Sequence, residues 1–211
     1  MSAAPQSRAD RRRPDPFASG VRRFRDPRYN AMVVKVLPGE HYVTNVPDEM
    51  LVTVLGSCVA ACIRDPVIGL GGMNHFMLPE SSDGQWGGAS ASMRYGNFAM
   101  EELINDILKR GGRRERLEIK VFGGGNVLVS QTEVGSNNAD FVEAYLREEK
   151  LPIAAKDLRG PHPRRVHYFA VTGKAMVLDL KRRDDEKVVE VEKIYRDRIR
   201  QQNVGGDVDL F

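Results

Sequence analysis

Long apolar runs are missing from this 211-residue chain. None approaches the ~20 residues that a bilayer-crossing helix needs, so neither a membrane-spanning protein nor membrane insertion is expected. Cysteine is scarce, with Cys58 and Cys62 the only two, which fits a reducing cytoplasm better than a disulfide-stapled secreted domain. The N-terminal Met1-Ser2-Ala3-Ala4-Pro5 runs into arginines without an apolar core segment, so a signal peptide is not expected. No internal repeat is visible. Gly69-Leu70-Gly71-Gly72 and Gly123-Gly124-Gly125 lack both the Gly-Lys-Ser/Thr of a P-loop and the helix-opening GxGxxG pattern. Close backbone approach or strand ends account for them. Cys58-x3-Cys62 with His75 falls short of four zinc ligands at CxxC-like spacing, and His41, His162 and His167 offer no evident fourth, so neither a metal nor a cofactor is expected.

The composition, 41% hydrophobic and 29% charged, suits one globular domain with tails. The net charge of +3 is unevenly placed. Residues 1–28 hold eight arginines against three aspartates, a formal +5 that leaves −2 for the rest. With four prolines and scattered apolar residues, this segment reads as a disordered extension. The basic pI thus belongs to an appendage, and nucleic-acid binding is not expected.

From Tyr29 onward the patterning is that of short strands: 31–37, 41–44, 51–55, 58–64, 70–78, 117–122, 153–156, 165–171 and 174–180. The last two are expected to form a tight hairpin through Thr172-Gly173. Met100, Leu103, Ile104, Ile107 and Leu108 share one helical face, which predicts a helix from about Gly96 to Arg110, stopped by Gly111-Gly112. A second helix is expected to be capped by Ser136-Asn137-Asn138 and to carry Phe141, Val142, Tyr145 and Leu146. The small, polar stretch from Ser81 to Tyr95 reads as a loop bordering a site. Val188, Val191, Tyr195 and Ile199 predict a C-terminal amphipathic helix, more readily packed on its own domain than on a partner, followed by a flexible acidic tail. Residues 29–185 then form one domain of mixed α+β class, a layered α/β sandwich with antiparallel hairpins, and residues 186–211 the helix and tail.

Asp65-Pro66-Val67-Ile68-Gly69 has turn composition between two apolar runs. If that loop is symmetric about the Pro66–Val67 bond, Cys58 directly opposes His75 across a hairpin, with Cβ atoms roughly 4.5–5.5 Å apart. A shift of one residue would put the two on opposite faces. A thiol beside an imidazole that takes its proton is a nucleophile for acyl carbons. Gly56 and Ser57 ahead of it allow a tight strand exit with backbone N–H groups for an oxyanion. Cys58 as a buried packing residue and His75 as a core histidine remain alternatives, and Cys62 reads as a packing neighbour.

Leu55-Gly56-Ser57-Cys58-Val59-Ala60-Ala61-Cys62, Asp65-Pro66, and Gly71-Gly72-Met73-Asn74-His75-Phe76-Met77-Leu78-Pro79 together closely resemble the CheD family of chemoreceptor glutamine deamidases. The likeness continues through Lys120–Gly125 and Pro163–Gly173, covering about residues 32–180. It implies a fold akin to bacterial deamidating toxins, Cys58 as nucleophile, His75 as general base, and conversion of chemoreceptor glutamines to glutamate with release of ammonia. Chemoreceptor cytoplasmic helices are then the protein substrate and the chemotaxis phosphatase CheC a further partner. The rival reading is a non-catalytic chemotaxis module that binds CheC. The family's third active-site residue is a threonine six positions before the cysteine, where this chain has Val52. Thr53 lies five before, and serves only if a bulge or another device brings it in.

Overall fold

A computed structural model describes residues 22–79, 91–127, 134–180 and 185–203. Among the described residues, ten strands form two sheets. The first contains β1 (Arg22–Asp26), β2 (Ala31–Lys35), β4 (Glu49–Leu55), β9 (Arg164–Phe169) and β10 (Lys174–Asp179), in the order β1-β2-β4-β9-β10. The second contains β3 (His41–Thr44), β5 (Val59–Asp65), β6 (Leu70–Asn74), β7 (Glu118–Gly123) and β8 (Ile153–Leu158), in the order β3-β6-β5-β7-β8. Pairing is antiparallel except for β2 with β4 and β7 with β8.

Alternation along the strands builds two cores. One face of the second sheet meets one face of the first, with Leu51, Leu55, Val166 and Tyr168 packed against Cys58, Ala60, Cys62, Met73 and Met77. The opposite face of the second sheet, including Val59, Ala61 and Ile63, is covered by α1 (Ala91–Lys109) and α2 (Val134–Glu148). There Met100, Leu103, Ile104 and Ile107 of the predicted stripe are buried and its last member, Leu108, is partly buried, and Phe141 meets Phe76 edge-on. The layers are therefore helices, sheet, sheet, the mixed α+β sandwich expected. The third helix, α3 (Asp185–Asn203), adds Tyr195 and Ile199 to the core between the sheets.

Several boundaries differ from expectation. The arginine-rich extension stops short of residue 28, because Arg22–Asp26 pairs with β2 as an edge strand. Backbone hydrogen bonding and the Arg28 clasp on Asp26 hold it without an apolar core of its own; residues 1–21 lie outside the described residues. Helix α1 begins at Ala91, ahead of Gly96. Helix α2 begins at Val134, so Ser136-Asn137-Asn138 lies inside it and the Asn138 side chain bonds elsewhere. The β9–β10 pairing starts at Phe169 with Lys174, leaving four residues in the turn rather than two. The polar stretch at 81–90 and the tail at 204–211 fall outside the described residues.

The β5–β6 hairpin is also displaced. Asp65 pairs with Leu70 and Cys62 with Met73, which centres the turn one bond later than symmetry about Pro66–Val67. The cause is local. Asp65 is fully buried, its Oδ1 accepts the Val67 amide and its Oδ2 the Arg113 amide, and Gly69 takes the left-handed conformation at φ +62° that closes a four-residue loop.

Candidate active site

Strand β4 in one sheet and β5 in the other are joined by Gly56-Ser57-Cys58, a three-residue crossing at the end of the inter-sheet core. Each of its carbonyls is held by a hydrogen bond. The Gly125 amide donates to Gly56 O, the Asn138 Nδ2 to Ser57 O and the Gly124 amide to Cys58 O, each at 2.8 Å. The crossing and the glycine run are so close that a Cβ at Gly123, itself at φ +106°, would lie 2.2 Å from Cys58 O. With the carbonyls so engaged, the N–H groups of residues 56, 57 and 58 all donate to one acceptor group. Three successive amides directed at one carboxylate form an anion-binding nest.

That nest is filled by the Glu192 carboxylate of α3. Oε1 accepts from the Gly56 amide at 2.7 Å and the Cys58 amide at 3.0 Å. Oε2 accepts from the Ser57 amide at 2.8 Å and Ser57 Oγ at 2.7 Å. Glu192 is only 3% exposed, and these four donors compensate the burial of its charge.

His75 follows β6, its backbone clamped to the loop after β2: the His75 amide donates to Glu40 O and the Gly39 amide to His75 O. Its Nδ1 lies 2.7 Å from Thr53 Oγ1, which also lies 2.8 Å from Val36 O. A hydroxyl has one proton. Thr53 donates it to the Val36 carbonyl and must accept from His75, so the ring carries its proton on Nδ1 and offers a lone pair at Nε2. Among the described residues, Nε2 is buried and has no hydrogen-bond partner.

Thr53 reaches the histidine without any bulge, because the β4–β9 register is regular. Leu51 and Leu55 belong to the core between the sheets, and Thr53 shares their face. Val52 packs on the opposite side of the first sheet with Ala31, Val33 and Met50.

Cys58 Sγ, one His75 ring nitrogen and one Glu192 carboxylate oxygen lie within 4.8 Å of one another. The direct cross-strand pairing of Cys58 with His75 does not occur. The bridge of Val59 with Phe76 carries the shifted hairpin register past His75, so the histidine stands diagonally from Cys58. Because the displacement is two residues, the pair keeps a common face and its side-chain tips meet loosely. Burial first, and then the Glu192 charge and its hydrogen bond, push the Cys58 thiol well above its ordinary range. Burial pulls His75 down to about 4. With Glu192 in place the pair is therefore neutral thiol and neutral imidazole, not the ion pair inferred from adjacency alone.

The same three side chains form a set that could ligate a metal. Both Glu192 oxygens, however, already take N–H and O–H donors in the geometry of a hydrogen-bonded carboxylate, and a metal would have to compete with them. Cys62 lies outside this group, buried between the sheets.

Two participants were not identified from sequence. Asn138 ties α2 to the crossing by donating to Ser57 O and accepting the Leu78 amide at 2.8 Å. Glu192 offered one signal: it interrupts the Val188, Val191, Tyr195, Ile199 stripe at a position facing the core.

Comparison with known proteins bears on what this arrangement is. Residues 77–179 match the family model described as CheD, chemotactic sensory transduction. A protein of Rhodopseudomonas palustris, strain BisA53, named "Probable chemoreceptor glutamine deamidase CheD" is 64% identical over 191 residues, 90% of each chain. The chain belongs to the CheD family. An alignment over nine-tenths of the chain runs through Cys58 and His75, which lie outside the stretch matched by the CheD family model. Two further CheD proteins, from Saccharophagus degradans and Cupriavidus pinatubonensis, carry the same name. They are 50% and 56% identical over 202 and 178 residues, covering 93% and 83% of this chain and 92% and 82% of theirs.

Proposed function

We propose that this protein hydrolyses side-chain amides of chemoreceptor glutamines to glutamate, with Cys58 as nucleophile, His75 as general base and Thr53 as the residue that orients it. The observation that carries the reading is the junction of three things within a few ångströms: a thiol, an imidazole whose free lone pair is at Nε2, and three converging backbone amides. It is supported by membership of a family whose relatives are named for that activity.

With substrate in place of the Glu192 carboxylate, His75 Nε2 takes the thiol proton as Cys58 Sγ bonds to the carboxamide carbon. The amides of residues 56–58 hold the negative oxygen. The imidazolium returns the proton to nitrogen, the C–N bond breaks, ammonia leaves and a thioester remains. Water then attacks the thioester, giving its proton to the same nitrogen; the C–S bond breaks, and the thiol is restored as glutamate is released. Thr53 holds the ring through Nδ1 in both halves. The proposed site of action is the cytoplasm, where a free thiol persists; both cysteines are free.

Ammonia release from receptor cytoplasmic fragments tests the proposal, with Cys58→Ala and His75→Ala beside wild type. Release by wild type alone is expected. Equal release by wild type and Cys58→Ala would instead favour the rival reading, a chemotaxis module that binds the phosphatase CheC and works without its thiol.

A further inference from the structure

The amide nest that would hold a reacting oxygen is occupied by the chain's own last described helix. A carboxylate on an amphipathic helix is, chemically, what remains after a glutamine on such a helix has been hydrolysed by water and has released ammonia. Glu192 makes contacts suited to that product: each oxygen takes a backbone amide of the crossing, and the carboxylate stands beside both Cys58 and His75. The helix is seated around it by apolar side chains. Tyr195 and Ile199 are buried in the inter-sheet core, the Tyr195 hydroxyl lies 2.6 Å from that of Tyr95, and Val188 and Val191 line a cavity of about 470 Å³ shared with Thr53, His75 and Glu192.

We infer that α3 occupies the groove that receives the substrate helix, with Glu192 standing where the product glutamate lies. The groove then selects an amphipathic helix that carries its glutamine in line with apolar residues four before, one before, three after and seven after, the places of Val188, Val191, Tyr195 and Ile199. Substrate and α3 compete for one seat, and the enzyme turns over only when α3 has been displaced. This rests on the deamidase reading above and specifies the substrate's shape and the regulation of its site.

Two measurements on the full-length protein test it. The first is alkylation of Cys58 by iodoacetamide, located by peptide mass spectrometry, with Cys62 as internal reference. Glu192→Ala is expected to react faster than wild type by on the order of tenfold or more, the factor set by losing at least one charge-assisted hydrogen bond from the closed state. Equal rates in two folded proteins overturn the inference. The second uses Glu192→Gln, which turns the proposed product mimic into a substrate. The expected result is time-dependent conversion of the introduced amide back to a carboxylate, with ammonia released and water consumed, abolished in Glu192→Gln/Cys58→Ala. If the introduced amide survives in a preparation that deamidates receptor fragments, the substrate seat is refuted and the deamidase reading stands. If neither the introduced amide nor the receptor glutamines are converted, the deamidase reading itself fails and the inference falls with it.

Discussion

Thr53 Oγ1 lies 2.7 Å from His75 Nδ1 and 2.8 Å from the Val36 carbonyl, so a single hydroxyl proton fixes which nitrogen of the histidine is free. Thr53→Val removes the acceptor and frees the ring to turn or change tautomer. Deamidation kcat is expected to fall on the order of 100-fold with KM little changed, while Thr53→Ser, which keeps the hydroxyl, retains most of the activity. Steady-state kinetics on receptor fragments distinguish these outcomes.

The threonine cannot be moved by one place. Val52 faces Ala31, Val33 and Met50 on the far side of the sheet. A Val52→Thr/Thr53→Val double variant is therefore expected to be as inactive as Thr53→Val alone. Recovery of activity would mean that β4 does not hold its regular register with β9.

Burial keeps His75 neutral down to about pH 4, whereas histidine in the unfolded chain titrates near 6.5. Between those values the unfolded chain binds a proton that the native site refuses, so stability is lost as pH falls below neutral. At about pH 5 the loss from this one group is on the order of 2 kcal/mol. Urea unfolding at pH 7 and pH 5 is expected to show this component in wild type and not in His75→Gln.

Asn138 satisfies a buried carbonyl at Ser57 and a buried amide at Leu78. Asn138→Leu leaves both without that partner, with an expected destabilisation of about 2–5 kcal/mol from two buried groups, together with loss of activity as the Gly56–Cys58 crossing loosens. Gly123→Ala acts on the same crossing through sterics, since its Cβ would press on Cys58 O. Thermal unfolding of both variants reads the effect.

Much of the site was legible because β-structure has a period of two. The hairpin register differs by two residues from that of a turn symmetric about Pro66–Val67, and the face shared by Cys58 and His75 survives; a difference of one would have separated them. The threonine was ambiguous because the family position holds Val52; strand alternation places Thr53 on the face of Leu51 and Leu55, toward His75. Strand β1 was not legible, since an edge strand paired on one side needs little apolar content, and Phe24 in it remains 46% exposed. Glu192 was hidden differently. In a helix with Glu186 and Glu190 close by in sequence, its charge is unremarkable, and only its place in the apolar stripe separates it from residues that face solvent. Asparagine near a helix start usually caps it, and only the packing of α2 against Ser57 and Leu78 gives Asn138 another use.

The central claim is that Cys58 forms a covalent link to the glutamine carbon. Acid-quenched mass spectrometry during turnover on a receptor fragment tests it directly. The account predicts a transient thioester on the peptide containing Cys58, absent in His75→Ala, and no glutamate formed by Cys58→Ala; undiminished glutamate formation by Cys58→Ala would contradict it.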